Sequence, residues 1–216
     1  MASNARPTRA ARKDAARRAL EEFDPARFDR WAEGEQQAAA LLQALLFDDD
    51  PLVRWRAVEG SGRVAAVLAR KGLEPAREAI RRALWLMNDE SGGLLWNGPE
   101  VIGAVLGNVP PLRGEFTEIL ASFLEEEPFR PGVRWGLWRV AAVDPAAVAS
   151  SAAALAPSLS DPDPAVRGLA ALALSAASGP GATAALAGDG APLEVFDFRG
   201  AVLRRTTVGE LAGGEF

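Results

Sequence analysis

The tripeptide Pro-x-Val occurs four times in this chain of 216 residues. The copies are Pro51-Leu52-Val53, Pro99-Glu100-Val101, Pro131-Gly132-Val133 and Pro164-Ala165-Val166, with the valines 48, 32 and 33 residues apart. Arginine follows in three of them: Arg54, Arg134 and Arg167. A motif returning every 30 to 50 residues is the mark of stacked two-helix units, because one helix pair cannot bury its apolar face and a stack can. Proline is pre-organised for the first helical position, and Asp50 and Asp163 stand before two of these prolines as N-cap residues.

The segments between the copies carry the matching first helices. Leu41, Leu42, Leu45 and Leu46 make one buried stripe within 35–47, and Ile80, Ala83, Leu84 and Met87 make another within 74–88. Further helices are predicted over 112–126 and, from Asp144-Pro145, over 145–159. Asn97 with Glu100 three residues on matches a capping box. Two shorter helices are expected over 8–22 and 25–33. After residue 178 the pattern changes: 193–198 and 201–206 flank Arg199-Gly200 as a β-hairpin, and Thr207-Val208-Gly209-Glu210 opens a short last helix. A lone hairpin is marginal in water, so this one must pack on the last helices or pair with a second copy as a homodimer. The prediction is all-α: a basic arm and N-terminal helices over 1–34, an α-α superhelix of about four helix pairs over 35–178, and a small C-terminal hairpin with a short helix over 179–216.

Composition narrows the chemistry. Cysteine, histidine and tyrosine are all absent. That removes disulfides, thiol nucleophiles, the commonest metal ligand and the Ser-His-Asp arrangement. The acidic runs Asp48-Asp49-Asp50 and Glu125-Glu126-Glu127 read as helix-end charges and solvated faces, so neither a metal nor a cofactor is expected and the chain reads as a non-enzyme. No run of 18 apolar residues occurs, which argues against a membrane span, and no apolar stretch follows the basic start. A cytoplasmic protein is expected, and the Ala/Arg/Gly/Pro bias suggests a bacterial one. Residues 1–18 carry +5 and the remainder −10. That balance opposes a nucleic-acid partner, whose binding is mainly electrostatic.

The segment Asp163-Pro164-Ala165-Val166-Arg167 with its following alanines resembles the second helix of a HEAT repeat of the PBS-lyase type, and Asp50-Pro51-Leu52-Val53-Arg54 matches as well. The copy at Pro131 lacks the aspartate and the copy at Pro99 has Ile102 in place of arginine. The segment 85–100 and the stretch Thr207 to Ala212 are similar to a bacterial HEAT-like family of unassigned function. The resemblance implies an α-solenoid in which Arg54, Arg134 and Arg167 form a ladder to aspartates of neighbouring repeats.

Helical geometry suggests a site. Trp55 lies about 200° round the helix from the core residue Val53. Trp135 holds the same register after Val133, and Glu59 and Arg139 follow one turn further on. Gly103 takes the tryptophan position in the second copy. The expectation is a concave groove with Trp55 and Trp135 as walls, Gly103 as floor and Glu59 and Arg139 as polar contacts, unless the N-terminal helices fill it. Trp96 and Glu100 from the irregular second copy join the candidate set. Glu100 is either a cap or a buried carboxylate that needs Arg54 or Arg134 as partner. Ser91-Gly92-Gly93 could offer amides to an anion but reads better as a turn, since Asp89 and Glu90 would repel phosphate. The favoured function is a scaffold that binds another protein or peptide on its concave face. Resemblance supplies two alternatives: an alkylpurine-glycosylase-like nucleic-acid binder and a tetrapyrrole- or bilin-handling protein.

Overall fold

In the computed structural model the structure describes residues 8–88 and 95–214. Helices α1 (Arg9–Glu21) and α2 (Pro25–Gly34) precede α3 (Ala38–Leu45) and α4 (Pro51–Ala69). Next come α5 (Glu74–Met87), α6 (Gly98–Asn108), α7 (Arg113–Ala121) and α8 (Arg130–Ala141). The one-turn helix α9 (Ala152–Leu155) and α10 (Pro164–Ser178) complete the fourth unit. The chain then forms β1 (Pro192–Asp197), β2 (Val202–Thr207) and α11 (Val208–Ala212). Every Pro-x-Val copy begins one of the long helices α4, α6, α8 and α10. These four pack side by side in chain order as one layer of a stack of pairs, with α3, α5 and α7 packed against them.

Local sequence explains the starts and stops. The Asp50 side chain accepts a hydrogen bond from the Leu52 amide at 2.8 Å, and Asp163 does the same for Ala165 at 2.8 Å. Glycine ends α10 because Gly179 sits at φ +87°, a region that side chains with a Cβ avoid. The expected helix over 145–159 is instead broken into 3-10 turns at 145–151 and 156–160 around α9. Pro157 lies inside that run, where it removes an amide donor and crowds the preceding turn. Asn97 precedes α6 but makes no side-chain cap; its φ/ψ of −98° and 26° lies outside the extended region that aims a capping side chain. At the other end of the chain the capping box forms in full, with Thr207 Oγ1 and Glu210 bonding reciprocally.

The valines point where the register requires. Val53, Val133 and Val166 are almost fully buried, and Val101 nearly so. A single hydrophobic core runs from the N-terminal helices through the stack to Leu211, so the three segments distinguished by sequence share one interior.

The arginine ladder exists, but other residues build it. Arg54 donates to the carbonyls of Asp48 (2.6 Å) and Asp49 (3.1 Å), and Arg167 to those of Asp161 (2.6 Å) and Pro162 (3.0 Å). Both therefore staple the turn that leads into their own helix. Arg167 also bonds Asp189 beyond the repeats, and buried Arg134 bonds the Leu124 carbonyl and Ser158. A regular set of ion pairs between successive elements comes from Arg17, Arg113 and Arg130. Each reaches the aspartate 31 residues on: Asp48, Asp144 and Asp161.

The hairpin is antiparallel, with Phe196 opposite Leu203. It packs against α4, α8 and α10. Arg56 of α4 donates to the Ala201 carbonyl at 2.9 Å, and Trp135 of α8 donates its indole N–H to the Phe196 carbonyl at 3.0 Å. Among the described residues no helix is long and apolar enough to cross a membrane.

Candidate functional site

Positions two and six after each core valine were expected to line an open groove. On α4 these are Trp55 and Glu59, on α6 Gly103 and Gly107, and on α8 Trp135 and Arg139. They do come together, but they fill the space instead of lining it. With no side chain at position 103 of the intervening helix, the Trp55 and Trp135 rings meet at 5.0 Å between centroids. One turn further, over Gly107, Arg139 spans α6 to reach Glu59. Its Nε and Nη2 each donate to a carboxylate oxygen at 3.0 Å. The third donor is Asn108 of α6, whose amide bonds Glu59 Oε1 at 3.0 Å. Both glycines are required by space. A Cβ at 103 would stand 2.3 Å from the Gly136 Cα, and one at 107 would stand 2.4 Å from Arg139 Nη1.

The hairpin then seals this strip. Phe196 stacks on Trp55 at 5.3 Å with 12° between planes, and the Arg139 guanidinium lies 4.2 Å from the centre of the Phe198 ring. Trp135, Phe196, Glu59 and Arg139 are buried. The groove is thus occupied, by the C-terminal hairpin and not by the N-terminal helices. Gly103 is a helix-crossing point and not a floor. The sequence signal for the plug was the pair Phe196 and Phe198, which share one face of an extended strand and need an apolar partner there.

The remaining candidates, Trp55, Trp96 and Glu100, converge at a different place. A pocket of about 360 Å³ lies between the α3–α4 turn, the start of α4 and the start of α6. Leu46 and Phe47 contribute from the turn, Arg54 and Trp55 from α4, and Trp96, Asn97 and Glu100 from the approach to α6. Trp96 is 62% exposed and Phe47 58% exposed, an unusual state for two large rings at one pocket mouth. Phe47 escaped the sequence reading because it ends a leucine stripe and precedes three aspartates.

Glu100 is the chemical anomaly of this pocket. Its Oε2 is buried and has no hydrogen-bond partner. The carboxylate lies over Gly132 of α8: a Cβ on that residue would stand 2.6 Å from Cδ and from both oxygens. Neither expected arginine answers it, since Arg54 is turned to the Asp48 and Asp49 carbonyls and Arg134 to Leu124 and Ser158. Burial therefore pushes the Glu100 carboxyl up to about 7, against a partial pull from a backbone amide.

A second cleft of about 350 Å³ separates α3 from α5 and is lined mainly by small apolar side chains such as Ala39, Val64 and Ala79. No cluster of acidic side chains suited to a metal ion occurs among the described residues. The anion cradle considered at Ser91-Gly92-Gly93 lies outside the described residues.

Comparison with known proteins adds the fold alone. No family model and no curated protein matches the chain. Among solved structures it is similar to a crystal structure of an engineered protein at 17% identity and a TM-score of 0.51, covering 86% of this chain and 80% of that one. A second engineered protein matches at 15% identity and a TM-score of 0.50, covering 85% of this chain and 51% of that one. The chain thus spans about half the length of the second.

Proposed function

We propose that this chain is a HEAT-like superhelical binding protein of the cytoplasm, without catalytic machinery of its own, and that it takes a segment of another protein or a peptide at the pocket between the α3–α4 turn and the start of α6. The observation that carries this reading is the convergence of exposed Trp96 and Phe47 with the unpartnered Glu100 oxygen in one concavity. Large aromatic rings left in water beside a desolvated polar group are the anatomy of a binding hot spot. The Asp-Pro-x-Val-Arg helix starts at Asp50 and Asp163 support the HEAT-like assignment.

The tetrapyrrole alternative drew on the tryptophan walls and Arg139, and Trp135 and Arg139 are here buried against Phe196, Phe198 and Glu59. The nucleic-acid alternative is opposed by the −10 balance outside residues 1–18. The test is selection from a displayed peptide library against the wild-type chain and against Trp96→Ala. Peptides that bind the wild type and lose at least about tenfold in affinity for the variant are expected, since a hot-spot tryptophan contributes 2 kcal/mol or more. If every selected peptide binds both chains equally, the pocket is not the recognition site.

A further inference from the structure

The pocket has a chemical bias that its aromatic lining does not reveal. Glu100 presents a carboxylate oxygen that is shut away from water yet bonded to nothing. The recess that holds it is built: Gly132 alone leaves room for the group, as any Cβ there would overlap it. Trp55, Trp96 and Phe47 line the same pocket, and the negative π-cloud of an aromatic ring favours a cation. We propose that this pocket takes a basic side chain, the ammonium of a lysine or the guanidinium of an arginine on a partner protein, with its head against Glu100 and its stem between Trp96 and Trp55. The proposal rests on the peptide-binding reading above and names the anchor that reading leaves open.

Three other occupants fit less well. An anion would find the start of α6 and Arg54, but it would be pressed against the Glu100 oxygens. An apolar anchor would leave Oε2 unbonded and offer the carboxylate no partner, which opposes binding. A free cation has no use for the exposed Trp96 ring. Arg54 is a like charge at the rim, but its guanidinium is committed to two backbone carbonyls, and Asp49 and Asp50 adjoin it in the same turn. A lysine or arginine side chain occupies a modest part of the 360 Å³.

The experiment uses the peptides selected for Trp96-dependent binding. Each lysine and arginine in them is replaced in turn by norleucine, which keeps the stem and removes the charge. Titration calorimetry then compares the full wild-type chain with Glu100→Gln. One replacement is expected to weaken binding to the wild type by about tenfold or more, and to matter less than about twofold in Glu100→Gln, because the two changes remove one interaction. The norleucine arm needs no variant, so it stands even if Glu100→Gln folds poorly. Trp96-dependent peptides that tolerate norleucine everywhere overturn the proposal and leave the peptide-binding reading intact. Absence of any Trp96-dependent peptide overturns both. Trp96-dependent binding of a short DNA duplex in place of peptides also overturns both.

Discussion

Removing the Glu59 carboxylate tests whether the centre of this stack is held by one buried ion pair. Glu59 is 3% exposed and Arg139 4% exposed, and two hydrogen bonds of 3.0 Å join them across α6. In Glu59→Ala the guanidinium stays buried while losing the carboxylate that pairs with it. Its remaining neighbours are the Phe198 face and the α6 backbone around Gly107. Breaking such a pair on one side costs about 3–5 kcal/mol. Asn108 keeps its bond to the Ala104 carbonyl at 2.9 Å and adds little to that cost. With a urea m-value of about 2–3 kcal/mol/M, the unfolding midpoint should fall by about 1–2 M. The double change Glu59→Leu with Arg139→Met replaces the charges by apolar volume and should return to within about 1 kcal/mol of the wild type. Urea unfolding followed by tryptophan fluorescence and by circular dichroism measures both. A loss below about 1 kcal/mol for Glu59→Ala, or a double variant as unstable as the two single losses added together, would refute the view that the pair is a desolvated unit.

Stability should fall as pH rises from about 4.5 to about 7. Glu100 releases its proton at its ordinary value of 4.5 when unfolded but only at about 7 when folded, so the folded state holds the extra proton in that window. Glu100→Gln should remove this slope, matching the wild type near pH 4.5 and exceeding it by about 3 kcal/mol above pH 7.5; equal stability at both pH values in urea melts would contradict the assignment. Gly103→Ala places a methyl 2.3 Å from the Gly136 backbone, which must move as a helix and not as a side chain. A loss of about 1–3 kcal/mol or more is expected in thermal unfolding, and a neutral result would mean that α6 and α8 cross less closely. Phe196→Ala empties a fully buried site beneath the hairpin. It should cost about 3–5 kcal/mol and make Trp55 and Trp135 accessible to acrylamide quenching, and unchanged quenching would show that the hairpin does not cover them.

The helix starts were legible because they are local. Aspartate before proline satisfies an orphan amide within two residues, so Asp50 and Asp163 announce α4 and α10 without reference to the rest of the chain. The one misread helix, over 145–159, failed for an equally local reason, Pro157. The arginine ladder was harder. Arg54 and Arg167 turn back to carbonyls five and six residues away in the turns before their own helices, Arg167 adds Asp189 beyond the repeats, and Arg134 takes the Leu124 carbonyl and Ser158. In the candidate site, the register of Trp55, Glu59, Trp135 and Arg139 was right and its consequence was not. Periodicity says which residues share a face and does not say what lies on that face.

The sequence by itself determined the all-α repeat, the direction of the core valines and the closing hairpin, since each follows from contacts within a few residues or from a repeated spacing. Only the tertiary structure decided that the hairpin folds back over Trp55 and Trp135 and that Arg139 crosses Gly107 to Glu59. It alone also left Glu100 unanswered above Gly132. The hairpin and ion-pair outcomes depend on segments 61 to 145 residues apart competing for the same apolar surface, with space and desolvation choosing the winner.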